Sequence, residues 1–205
     1  SRVEGMSTDD YIADHVTTAR LVCETGAGLM AMNTSCPNEG HNRLLCHDPH
    51  LVGRITEAVK NEIADRPLII KLAYIPPVAT EPWPQDSGAG RYTYARVTDD
   101  SALELMVRRT VARGTVQAIA AINTISARLV DANGNQALPG AGRERSGVCG
   151  HAIRYAGLDM VARLAAIRER LGLDFAIIGV AGADAVMSAT GAMWDARLAR
   201  RIKSR

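Results

Sequence analysis

Leu68-Ile69-Ile70-Lys71-Leu72 is apolar on both faces except for one lysine, and Pro67 stands directly in front of it. A short run of that kind reads as a strand buried from both sides, the habit of parallel strands covered by helices. The same signature recurs outward along the chain. Leu29-Met30-Ala31-Met32 leads into the polar Asn33-Thr34-Ser35-Cys36-Pro37-Asn38, Val116 to Ile122 leads into Asn123-Thr124, and Phe175 to Val180 closes on Gly179-Val180. Helical patterns alternate with these runs. Residues 7–25 open on the capping cluster Ser7-Thr8-Asp9-Asp10, and 49–65 place Pro49 in the first turn with Leu51, Val52, Ile55, Val59 and Ile63 on one side. Residues 99–113 and 158–171 read as two further helices. The unit of helix, buried strand and polar or glycine cluster at the strand's C-terminal end predicts an α/β fold of the (β/α)8 TIM-barrel type. In that fold the strand ends converge on one active-site mouth, where Asn33, Cys36, Lys71, Asn123, Thr124 and Gly179 are expected.

The composition limits the function classes. The chain has 205 residues, 47% of them hydrophobic, and a formal charge of +2, with no block of like charges, so neither nucleic acid nor a membrane surface is the expected partner. Aromatics make up only 4%, which argues against a base-stacking platform and for a small ligand. Cys23, Cys36, Cys46 and Cys149 lack CxxC spacing, which reads as a reduced, cytoplasmic protein, and no apolar run approaches the roughly 20 residues a membrane span needs. Residues 73–97 hold four of the eight prolines and three of the five tyrosines and read as a long loop or lid inserted into one barrel domain covering 1–205. Val180 is followed almost at once by Asp184 to Met187, which looks like another strand, although a parallel crossover needs about a dozen residues. With five strands countable, the barrel is expected to lack its first strands and the helix after Val180.

Lys71 is the least expected residue in its strand, because burying an ammonium without a partner is costly. It can contact an electron-rich cofactor ring, serve as a Schiff-base nucleophile, or escape into solvent at the strand end. Cys36 stands on a loop after a strand, where a thiol of tuned pKa can move a proton; a lone cysteine can equally be a small core residue, the reading given to Cys23. Asn33, Asn38, Asn123 and Thr124 offer amides and a hydroxyl that suit the alternating C=O and N–H edge of a pyrimidine. Cys46, with His41, His47, Asp48 and His50, lacks regular ligand spacing, so the reading is a solvated lid and no metal.

In order and spacing, Asn33 to Asn38, Ile70-Lys71-Leu72, Ile122 to Ile125, Ser146 to Ile153 and Ile177 to Val180 resemble the FMN-dependent dihydroorotate dehydrogenase family, in its soluble, cysteine-using branch. The pyrimidine-reducing domain of dihydropyrimidine dehydrogenase is similar. The resemblance implies an FMN-binding barrel that moves a hydride between a dihydropyrimidine and the flavin. It implies Cys36 as catalytic base and Asn33, Asn38, Asn123 and Thr124 as the residues that hold the pyrimidine. Lys71, Cys149, Gly150, Gly179, Ala189 and Thr190 would be flavin contacts. It also implies a separate electron acceptor and leaves room for a homo-oligomer. Where the family carries a Gly-Gly pair for the flavin phosphate, this chain has Gly179-Val180 followed by Ala181-Gly182. A pyrimidine- or partner-binding barrel remnant without redox chemistry, and a Schiff-base lyase using Lys71, are the alternative functions.

Overall fold

The computed structural model describes residues 5–35, 44–77, 100–141 and 143–180. Four parallel strands form one sheet in the order β1 (Met30–Asn33), β2 (Leu68–Leu72), β3 (Ala118–Ala121), β6 (Ala176–Gly179). The helices are α1 (Thr8–Glu24), α2 (Pro49–Ile63), α3 (Ser101–Arg109) and α4 (Arg154–Leu171). This is the parallel α/β layering expected of a barrel. The proposed strand at 184–187, the junction after Val180 and most of the 73–97 insertion lie outside the described residues.

The starts of α1 and α2 and the end of α4 follow from local capping chemistry. The Ser7 hydroxyl accepts from the Asp10 N–H at 3.0 Å to start α1. Asp48 accepts from the N–H groups of His50 and Leu51 at 3.1 and 3.0 Å to start α2, with Pro49 in the first turn. Gly172 closes α4 in the left-handed conformation at φ 61°, which a residue without Cβ adopts at least cost.

The register assigns the two faces of the sheet. Leu68, Ile70 and Leu72 are fully buried against Val52, Ile55, Val59, Leu103, Met106, Met160 and Leu164 of the helices. Full burial of one such side chain is worth about 1.5–3 kcal/mol, so this layer supplies most of the cohesion. Because paired residues in a parallel sheet point the same way, the alternate positions form rows on the opposite, inner face. One row is Ala31, Ile69, Ala118 and Ala176; the next, at the C-terminal ends, is Asn33, Lys71, Ala120 and Ile178. Four alanines keep that inner floor low.

The structure corrects two expectations and adds one element. Cys46 is not part of a solvated lid: it is 1% exposed, and its N–H donates to the Thr34 carbonyl at 2.8 Å. α4 starts at Arg154, four residues earlier than its apolar pattern begins. The polar stretch after β3 contains an antiparallel hairpin, β4 (Ile125–Arg128) with β5 (Arg145–Val148). Cys23 packs partly buried against the core, as a structural cysteine should.

A buried ionic cluster brackets the excursion after β2. Arg163 of α4 has a side chain only 7% exposed and bonds Asp100 at 2.6 Å, Asp159 at 3.1 Å and the Ile75 carbonyl at 2.8 Å. The Tyr74 hydroxyl donates to Asp159 at 2.9 Å. Burial, and then the hydrogen bond to that carboxylate, push the Tyr74 phenol up to about 12. An unfolded phenol ionises near 10, so this group's contribution to stability is complete below about pH 10 and is lost as pH climbs from 10 to 12. Denaturation midpoints should fall less steeply over that window for Tyr74→Phe than for the parent chain; equal slopes would contradict the assignment.

Candidate active site

The polar residues that follow β1, β2 and β3 meet at one end of the sheet. Asn33 and Lys71 are register partners on the inner face. The Thr34 N–H and hydroxyl both donate to the Lys71 carbonyl, at 3.1 and 2.7 Å, which fixes the chain as it leaves β1. The Asn123 N–H donates to the Leu72 carbonyl at 2.8 Å and fixes the chain leaving β3 in the same way. Backbone pairing therefore brings residues 33 and 123, ninety positions apart, into hydrogen-bond contact.

The two asparagines are locked in complementary orientations. The Ser35 N–H and hydroxyl donate to Asn33 Oδ1 at 3.2 and 3.1 Å, and Asn123 Nδ2 donates to the same oxygen at 3.3 Å. Asn123 Nδ2 also reaches Ser35 Oγ at 2.9 Å and the Ser35 carbonyl at 3.2 Å, while Asn123 Oδ1 accepts from the Thr124 N–H at 2.9 Å. A backbone N–H can only donate, so each amide oxygen must face its N–H and each amino group must point elsewhere. Three donors, Asn33 Nδ2, Lys71 Nζ and Thr124 Oγ1, have no hydrogen-bond partner among the described residues.

The hairpin closes in from the side of β3. A Cβ at Gly147 would lie 2.5 Å from Thr124 Oγ1 and 2.9 Å from Thr124 Cβ, so only glycine lets β5 approach Thr124 this closely. Cys149 and Gly150 follow β5, a hairpin strand, not a strand of the parallel sheet; both are exposed, and Gly150 has φ 71°. Gly179 pairs with Ala121 at the C-terminal end of β6.

Two curated proteins resemble the chain over nearly its whole length. A dihydroorotate dehydrogenase of Dictyostelium discoideum is 33% identical over 215 residues, covering 95% of this chain and 51% of the relative. A putative dihydroorotate dehydrogenase A (fumarate) of Solibacter usitatus is 32% identical over 215 residues, covering 98% of this chain and 60% of the relative. Over most of its own length the chain is similar to these two proteins, both of which carry the name dihydroorotate dehydrogenase. No family model matches it. The chain spans about half to three-fifths of the length of these curated relatives.

Of the residues that the family resemblance singles out, the structure brings together Asn33, Lys71, Asn123 and Thr124 at the strand ends. Cys36, Asn38, Ala189 and Thr190 lie outside the described residues. Sequence reasoning passed over Ser35 and Thr34, which are 3% and 0% exposed. Their position inside the motif after β1, as small hydroxyl residues beside Asn33, was the available signal. A groove of about 560 Å³ lies elsewhere, between α1 and α2, and none of the strand-end residues lines it. No described helix is long and apolar enough to cross a membrane.

The donor set fits the flavin that the family resemblance implies. The Lys71 ammonium, without a hydrogen-bond partner among the described residues and paired in its row with Ala120, suits a flat ring that carries carbonyl acceptors, which leaves the Asn33 amide and the Thr124 hydroxyl for a second ring. An acidic or apolar set would not.

Proposed function

We propose that this chain forms a flavin-dependent dehydrogenase acting on dihydroorotate or a close dihydropyrimidine, with FMN as the flavin. The observation that carries the proposal is the group of unpartnered donors, Asn33 Nδ2, Lys71 Nζ and Thr124 Oγ1, beside a rigid pair of asparagine amides. Lys71 and Gly179, together with Cys149, Gly150, Ala189 and Thr190, are the residues that would hold FMN. A bound flavin supplies the hydride acceptor. Asn33, Asn38, Asn123 and Thr124 hold the pyrimidine and fix which ring edge faces the mouth, so orientation is supplied before the chemistry begins. Cys36 takes the proton from the carbon next to the one that gives up the hydride.

In this reading residues 1–205 make one barrel domain, 73–97 form its insertion, and the protein works in the cytoplasm with a separate electron acceptor. A lysine flanked by Asn33 and Ala120 on the inner face needs a partner that a ligand at the strand ends would supply, which favours cofactor contact over solvent escape.

Isothermal titration of the full-length protein with orotate tests the site. Asn123→Leu removes the bonds to Ser35 and Asn33 together. It should raise the dissociation constant about 100-fold, equivalent to about 2.8 kcal/mol. Equal affinities for parent and variant would contradict the assignment.

A further inference from the structure

We propose that Ser35 is a positioning residue that holds Asn33 in the donor-outward orientation, so that the ligand atom facing Asn33 must be an acceptor, such as a ring carbonyl or a carboxylate oxygen. This deepens the pyrimidine reading and rests on it. Ser35 is 3% exposed, so no bulk water substitutes for its hydroxyl. That hydroxyl accepts from Asn123 Nδ2 at 2.9 Å, lies 3.1 Å from Asn33 Oδ1 and 3.4 Å from the Lys71 carbonyl, and so links all three strand ends that build the site. Its own N–H adds a further bond to Asn33 Oδ1 at 3.2 Å. Reversing the Asn33 amide would set its amino group against three donors, the Ser35 N–H, the Ser35 hydroxyl and Asn123 Nδ2. The hydroxyl could turn its proton to the Lys71 carbonyl, but the N–H and the Asn123 amino group cannot adapt. Asn33 is consequently left with its amino group as the part available to a ligand, and Lys71 Nζ beside it adds a second donor. This corner recognises acceptors and rejects a ring edge that presents N–H.

Orotate binding to the full-length, flavin-loaded protein tests the proposal through three substitutions. Ser35→Ala should weaken binding about tenfold, Ser35→Thr should restore most of it by returning the hydroxyl, and Ser35→Cys, which replaces the hydroxyl with a weakly hydrogen-bonding thiol, should behave like Ser35→Ala. In an Asn33→Ala background the Ser35→Ala change should add less than twofold, because the group it positions is gone. Parental affinity in Ser35→Ala and Ser35→Cys, or a tenfold loss that persists in the Asn33→Ala background, would overturn the proposal. A readout independent of ligand separates this proposal from the pyrimidine reading. The Asn33 side-chain carbonyl carbon, whose resonance reports the donors on Oδ1, should shift in Ser35→Ala and Ser35→Cys relative to the parent and stay close to it in Ser35→Thr. Signals unchanged by both variants overturn the positioning role even if orotate binds. If the parent does not bind orotate while the signals respond as expected, the pyrimidine reading fails and the amide lock stands.

Discussion

Arg163→Leu is expected to lower the stability of the protein by about 3–5 kcal/mol, the scale for removing one partner of a buried ion pair. The guanidinium lies between the Asp100 and Asp159 carboxylates, whose side chains are 19% and 17% exposed, and also holds the Ile75 carbonyl. Its loss leaves two partly buried carboxylates and one buried carbonyl without their main donor. Asp100 and Ile75 flank the long excursion between β2 and α3, so this one side chain ties both ends of it to α4. Urea denaturation of parent and variant measures the effect. Combining Arg163→Leu with Asp100→Asn and Asp159→Asn should recover a large part of the loss, since the orphaned charges go with it. A loss below about 1 kcal/mol, the range of an exposed pair, would show that the cluster does not bear on stability.

Cys36→Ala and Cys36→Ser should each slow flavin reduction by dihydroorotate by a factor of about 10² or more. That is the usual scale for losing a general base. A thiol of reference pKa about 8.5 is mostly protonated at neutral pH, so the parental rate should rise as pH increases through the thiol's pKa. Serine keeps the size of the group but ionises far higher, so its variant should be slow throughout the neutral range. Rapid mixing under anaerobic conditions gives the rate and its pH profile together. Variants that match the parent in both would make Cys36 an ordinary loop residue.

The parts of the fold legible in the sequence are those governed by apolar burial. β2, β3 and the start of α2 stand out because Leu68 to Leu72 is apolar but for Lys71, Ala118 to Ile122 is a continuous apolar run and Asp48-Pro49 is a strong helix start. The β4–β5 hairpin did not stand out, because the alternation of Ile125-Ser126-Ala127-Arg128 is only four residues long and its partner Arg145-Ser146-Gly147-Val148 has a single apolar side chain. Arg163 was missed for a related reason. It falls three residues after Met160 and four before Ile167, on the buried side of α4, but looks like one more arginine among Arg154, Arg168 and Arg170. A charged residue in step with an apolar stripe is the signal that could have found it. Asn33, Lys71, Asn123 and Thr124 were legible because polar groups stand where buried strands end. Ser35 was not, because its role depends on the parallel register that sets β1 beside β2 and β2 beside β3.

The central claim is that these strand ends hold a dihydropyrimidine against a flavin. Anaerobic mixing of the full-length, flavin-loaded protein with dihydroorotate measures this directly. Loss of the oxidised-flavin absorbance in a single turnover, slowed by Asn123→Leu and by Lys71→Met, is the expected result. A protein that carries flavin but keeps its oxidised absorbance in the presence of saturating dihydroorotate would contradict the account.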